Sequence, residues 1–170
     1  MFSLENLKIM SIGCAYAAGI WTDLKSARVP NALVIFTLLV SCILILTADG
    51  LSGLISGLIS FTFAFAIVLP IYFFKILAGG DYKLFLATSI VLPWQQVGQL
   101  LIASLIWGAI YSIVFSFING TYKNVFLHLK LIFLRMNPPH SKMQKIPFTV
   151  ALFLGWLTHL TIINSGGLWI

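Results

Sequence analysis

Residues 32–74 read ALVIFTLLVSCILILTA, then Asp49-Gly50, then LSGLISGLISFTFAFAIVLPIYFF, and this stretch decides the fold. Asp49 is its one charged side chain. Neither run shows the period of two expected of a barrel strand, and each approaches the roughly 20 residues a helix needs to cross hydrocarbon. Ala48-Asp49-Gly50 is a turn signal. The stretch therefore predicts two apolar helices joined by a reversal. Within it, Leu51-Ser52-Gly53-Leu54 is echoed by Ile55-Ser56-Gly57-Leu58, which puts Gly53 and Gly57 four apart on a small-residue face suited to close helix contact.

Working outward, four more apolar segments appear, at about residues 4–22, 82–94, 97–117 and 148–166. Full insertion is left open for the first and the fourth. Pro93-Trp94-Gln95-Gln96 and Asn119-Gly120-Thr121 mark further turns. Six segments put the connections alternately on two sides. Lys25, Arg28, Lys75, Lys83, Lys123, Lys130, Arg135, Lys142 and Lys145 then share one side, and Lys8 alone takes the other. Basic loops stay cytoplasmic. The expectation is an all-α polytopic membrane helix bundle of about six transmembrane helices, with both termini extracytoplasmic. The connection 118–147 is read as carrying a helix at the cytoplasmic interface, its basic side chains snorkelling to head groups, ended by Pro138-Pro139. No linker or larger repeat divides the chain, so residues 1–170 are expected to form a single domain.

Composition agrees. The chain is 60% hydrophobic and only 8% charged, with a mean hydropathy of +1.04. A soluble domain carries about a quarter of its residues as charged side chains. The net charge of +6 comes from basic residues scattered between apolar runs, so no nucleic-acid partner is expected; membrane lipid is. Glu5 and Lys8 leave no basic region before the first apolar run, so no cleaved signal peptide is expected. Cys14 and Cys42 sit in apolar runs and read as small buried hydrophobes.

Only four carboxylate side chains occur: Glu5, Asp23, Asp49 and Asp81. Glu5 and Asp49 fall on the outer side and read as solvated tail and turn residues. Asp23 and Asp81 fall at cytoplasmic ends of apolar segments, where an acid is expensive and marks function by default. Asp23 precedes a turn carrying Arg28, Pro30 and Asn31, whose proline and asparagine end one helix and start the next. Asp81 follows Gly79-Gly80 and precedes Lys83. Paired glycines predict a bend, or close approach of another backbone to Asp81, a substrate's included. Two carboxylates brought together share one proton; one is then a general base toward water while the other polarises a carbonyl. Lys25, Arg28 and Lys83 stand nearby and oppose such sharing. No HExxH, CxxC or GxSxG occurs, and His128, His140 and His159 lack metal spacing, so no metal and no cofactor is expected. His159 reads as a packed, hydrogen-bonded histidine. A small transporter or proton-relay subunit using the same aspartates is the alternative, and a non-catalytic assembly protein a third reading.

The two acidic blocks resemble those of the prepilin peptidases, GxGD membrane aspartyl proteases. The first is Asp23-Leu24-Lys25-Ser26-Ala27-Arg28-Val29-Pro30-Asn31, and the second is Ala78-Gly79-Gly80-Asp81-Tyr82-Lys83, with Ala78 in place of the first glycine. Lys145-Ile146-Pro147-Phe148-Thr149-Val150-Ala151-Leu152 with Gly155 is similar to a third block that opens the family's last span. The resemblance implies Asp23 and Asp81 as catalytic aspartates, with Gly79, Gly80, Lys83, Arg28, Pro30 and Asn31 shaping the site. It implies type IV pilin-like or pseudopilin precursors as substrates, cut at the cytoplasmic face of the bacterial inner membrane. The chain is similar to the short, peptidase-only forms of Flp/Tad-type pili, so no methyltransferase activity is expected.

Overall fold

In the computed structural model, residues 4–26, 29–73, 77–118 and 148–164 are described, and all regular structure among them is helical. The helices are α1 (Leu4–Ser26), α2 (Asn31–Phe73), α3 (Gly79–Ser89), α4 (Trp94–Ile118) and α5 (Phe148–Asn164). The expected interfacial helix, the Asn119-Gly120-Thr121 turn and Arg28 lie outside the described residues.

The apolar stretch quoted above forms α2, and α2 is not one rod. Gly50 breaks it at φ 66° and ψ −152°, a conformation essentially reserved for glycine. The chain doubles back there. A Cβ on Gly57 would lie 3.0 Å from Ile45 Cδ1, whereas an unbroken helix separates residues twelve apart by about 18 Å. The hairpin read from Ala48-Asp49-Gly50 is thus present. Gly53 and Gly57 are both buried, and a Cβ on Gly57 would sit 2.7 Å from the Ile90 carbonyl oxygen beyond α3. The glycine pair serves close packing, as its spacing indicated.

Counting the two arms of α2 separately, six helical segments run alternately between two ends of the bundle. At one end Glu5, Lys8, Asp49, Pro93, Gln96 and Ile163 line a common cavity of about 240 Å³. At the other end Lys83 reaches Asn31, and Thr149 reaches Asp23. Helix α3 is the short member: it starts at Gly79, earlier than the apolar run suggested, and stops at Ser89 before Pro93.

The core is formed where α1, α3 and the inward faces of α2, α4 and α5 meet, around Ile12, Tyr16, Val68, Leu84, Phe85, Val97, Leu100 and Leu152. Tyr16 of α1 shares a buried 2.8 Å hydrogen bond with Thr88 of α3. Other buried hydroxyls return to their own helix, Thr37 to the Leu33 carbonyl at 2.8 Å and Ser104 to the Leu100 carbonyl at 2.7 Å, which satisfies them without water. Helices α4 and α5 touch through Gly155, where a Cβ would lie 2.8 Å from the Ser104 backbone nitrogen.

Among the described helices, α2 and α4 are long and apolar enough to cross a membrane, and only 17% of the most apolar stretch of each is buried within the protein. A soluble core helix would be covered. Trp21, Leu51 and Ile118 are each more than 70% exposed, part of an apolar surface too extensive for water. The protein is a membrane-associated helical bundle. Cys14 belongs to this outer surface and is exposed, contrary to the expectation that it is buried, while Cys42 is half-buried; both are free thiols. In lipid an outward cysteine replaces any small apolar residue without cost.

Candidate functional site

Asp81 lies in the first turn of α3, whose first intrahelical bond runs from the Tyr82 N–H to the Ala78 carbonyl at 3.1 Å. An acid there meets the positive end of the helix. Ala78, which departs from the glycine of the resembled block, has φ −73° and ψ 148°, ordinary for any residue. The substitution costs nothing at this backbone. Asp81 sits one residue outside the apolar stretch 82–94 and is only 2% exposed. Burial first, and the Asp23 carboxylate second, push the Asp81 carboxyl up to about 7, while the backbone N–H of Phe148 donates to it and pulls the other way.

Asp23 lies in the last turns of α1 and is half-buried. A carboxylate near a helix C-terminus is opposed by the helix dipole. Compensation comes from elsewhere. Thr149 of α5, fully buried, donates its hydroxyl to Asp23 Oδ2 at 3.1 Å. Phe148 and Thr149 are the first two residues of α5. Two consecutive residues at one helix start therefore hold the two acids, and the positive end of α5 is turned toward both. Gly19 allows this: a Cβ there would sit 2.7 Å from Leu84 of α3 and 3.5 Å from Thr149. Residues remote in sequence thus meet here, and the Asp23 charge is close enough to act on Asp81.

The remaining expected site residues frame the acids. The Pro30 carbonyl accepts the Leu33 N–H at 3.1 Å and the Val34 N–H at 3.4 Å, starting α2. Asn31 accepts a 3.1 Å hydrogen bond from Lys83 Nζ, which fastens the start of α2 to α3. Lys83 is thereby aimed at Asn31 rather than at either acid. Gly80 is filled from within: a Cβ there would lie 2.8 Å from Val29 Cβ and 3.2 Å from the Val29 backbone nitrogen. The backbone that approaches Asp81 at Gly80 is the protein's own 29–30 segment, which corrects the expectation of free access for a substrate at that glycine. Gly79 faces Tyr72, with 3.6 Å between its would-be Cβ and the Tyr72 ring, and Tyr72 stacks on Tyr82 with centroids 5.3 Å apart. Phe148, Thr149 and Tyr72 were missed in the sequence. The signal available for the first two was their position in the third block of the resemblance, at the start of an apolar segment.

The other two acids behave differently. Lys8 Nζ pairs with Asp49 Oδ2 at 2.6 Å and with Glu5 Oε1 at 3.3 Å, and these are the ion pairs among the described residues. Glu5 and Asp49 are thus paired with Lys8, not merely solvated as expected. Asp23 and Asp81 have no basic partner among the described residues. His159 is 3% exposed, and neither ring nitrogen has a hydrogen-bond partner among the described residues, so it is packed but not hydrogen-bonded as expected. No group of three or more His, Cys, Asp and Glu side chains among the described residues is arranged to hold a metal.

No curated protein and no solved structure matches the chain significantly. Residues 9–113, a span that contains both Asp23 and Asp81, match the type IV leader peptidase family. With that match covering more than half its length, the chain belongs to the type IV leader peptidase family.

Proposed function

We propose that the protein is a membrane aspartyl endopeptidase that removes the leader peptide from type IV pilin-like precursors of the Flp type, with Asp23 and Asp81 as the catalytic pair. The observation that carries the reading is that the two acids without a basic partner among the described residues are the two gripped by Phe148 and Thr149. Family membership supports the reaction class. In this mechanism one carboxylate takes a proton from water as the water oxygen attacks the scissile carbonyl carbon, and the protonated partner gives its proton to the carbonyl oxygen. The tetrahedral diol then collapses. The carbon–nitrogen bond breaks, the leaving nitrogen takes the proton from the first acid, and the second acid recovers its own. Methyl transfer forms no part of the proposal.

The whole chain acts as one domain, with six helical segments crossing the bacterial inner membrane, both termini outside and the aspartates at the cytoplasmic face. Nine of the ten Lys and Arg residues fall on that face under this threading, which supports it. The substrate is held partly by its own apolar helix in the surrounding lipid.

The test is cleavage of a co-expressed pilin precursor. Asp23→Asn and Asp81→Asn should each abolish it, a loss of at least about 10³-fold, with normal amounts of protein in the membrane. Near-normal cleavage by either variant would remove the assignment.

A further inference from the structure

The two acids are not held alike. Asp81 is 2% exposed and receives a backbone N–H, whereas Asp23 is half-buried and receives the hydroxyl of a side chain that is itself fully buried. The half-buried acid is the more accessible of the two, and a base must touch water. A hydroxyl donated to a carboxylate favours its ionised form and fixes which oxygen stays free. We infer that Thr149 is the positioning residue of the pair: it holds Asp23 as the base toward water and leaves the shared proton on Asp81. The inference rests on the peptidase reading and deepens it.

The surroundings of Asp23 agree. From α3 it faces Asp81. From α5 it faces Thr149, and no titratable side chain occurs from residue 148 to residue 158; His159 stands about 15 Å farther along the helix. At the start of α2 the Asn31 side-chain oxygen is taken by Lys83. On its own helix Lys25 is exposed. No cation among the described residues competes with Thr149 for the carboxylate. In the reaction, water's proton passes to the Asp23 oxygen not bonded to Thr149, the water oxygen bonds to the carbonyl carbon, and the proton on Asp81 passes to the carbonyl oxygen. Thr149 keeps its own proton throughout.

Thr149→Val preserves shape and removes the donor; Thr149→Ser preserves the donor. With purified full-length protein in lipid nanodiscs and a synthetic precursor comprising leader and apolar helix, Thr149→Val should lower kcat about tenfold or more with KM within about twofold. Thr149→Ser should keep both quantities near wild type. An unchanged kcat in Thr149→Val, or equal impairment of the two variants, would overturn the inference. A second readout needs no turnover. The chain has three aspartates, so carboxyl-¹³C-labelled aspartate gives a readable spectrum. The Asp23 resonance should shift in Thr149→Val and hold its position in Thr149→Ser at the same pH. A resonance indifferent to Thr149→Val would overturn the inference whatever the activity. Failure of the wild-type protein to cut any precursor would instead defeat the peptidase reading, and the spectrum would still decide the Thr149–Asp23 bond.

Discussion

At the scale of single residues, the four acids divide by what stands beside them. Glu5 and Asp49 share Lys8, whereas Asp23 and Asp81 share the start of α5. The Asp81 carboxyl, moved from 3.8 up to about 7 chiefly by burial, has a consequence for stability. Between those values the folded state binds more protons than the unfolded one, so stability falls as pH rises. The contribution is complete below pH 3.8, is lost progressively as pH climbs through about 7, and is flat above. Thermal unfolding in detergent should therefore show a lower Tm at pH 8 than at pH 5 for the wild type. Asp81→Asn should weaken that slope and be the more stable protein at pH 8. An unchanged slope in the variant would show that Asp81 does not titrate in this window.

At the scale of elements, two glycines make contrasting demands. Gly50 has nothing within 4 Å of its would-be Cβ, but its backbone has φ 66°. Gly50→Ala should cost about 1–3 kcal/mol through backbone strain alone. Gly155 has ordinary helical backbone but a neighbouring chain 2.8 Å from its would-be Cβ, at the Ser104 nitrogen. Gly155→Leu should force α4 and α5 apart, cost about 1–3 kcal/mol or more, and shift the Thr149 hydroxyl with the start of α5. Cleavage should fall with Gly155→Leu and survive Gly50→Ala at permissive temperature. Chemical denaturation and cleavage assays on the same preparations separate the two effects. Polarity and punctuation revealed these elements in advance: the Asp49-Gly50 reversal, the Pro93 stop and the Pro30-Asn31 start all occur where the residues indicated. The start of α3 was misjudged because Gly79, Gly80 and Asp81 are poor helix formers that the first turn nevertheless accepts.

At the scale of the whole molecule, the bundle has two chemically distinct ends. The rise from Lys8 to Asp23 along α1 is about 22 Å. The Lys8–Asp49 bond at 2.6 Å ties α1 to the α2 reversal far from the aspartate pair. Lys8→Met should therefore loosen this end, measured as faster proteolysis near the reversal, while cleavage of precursor persists. Loss of cleavage in step with proteolysis would show the ends to be coupled. Sidedness has its own test. In a background with Cys14 and Cys42 replaced by serine, Asp49→Cys should react with an impermeant maleimide on intact cells, and Lys25→Cys only after permeabilisation.

The sequence by itself determined the apolar helices and the reversal at Asp49-Gly50, and it singled out Asp23 and Asp81 as candidates among four acids. Those readings follow from local polarity, from glycine and proline stereochemistry, and from the cost of charge beside lipid, all of which are written along the chain. Only the tertiary structure decided that Val29 fills the space at Gly80, that Lys83 serves Asn31, and that Phe148 and Thr149 hold the two acids. Such pairings join residues as far apart as Asp23 and Thr149, and they depend on how closely α1, α3 and α5 approach one another. Helix distance is set by side-chain volume on facing surfaces at once, and no single stretch of sequence carries that sum.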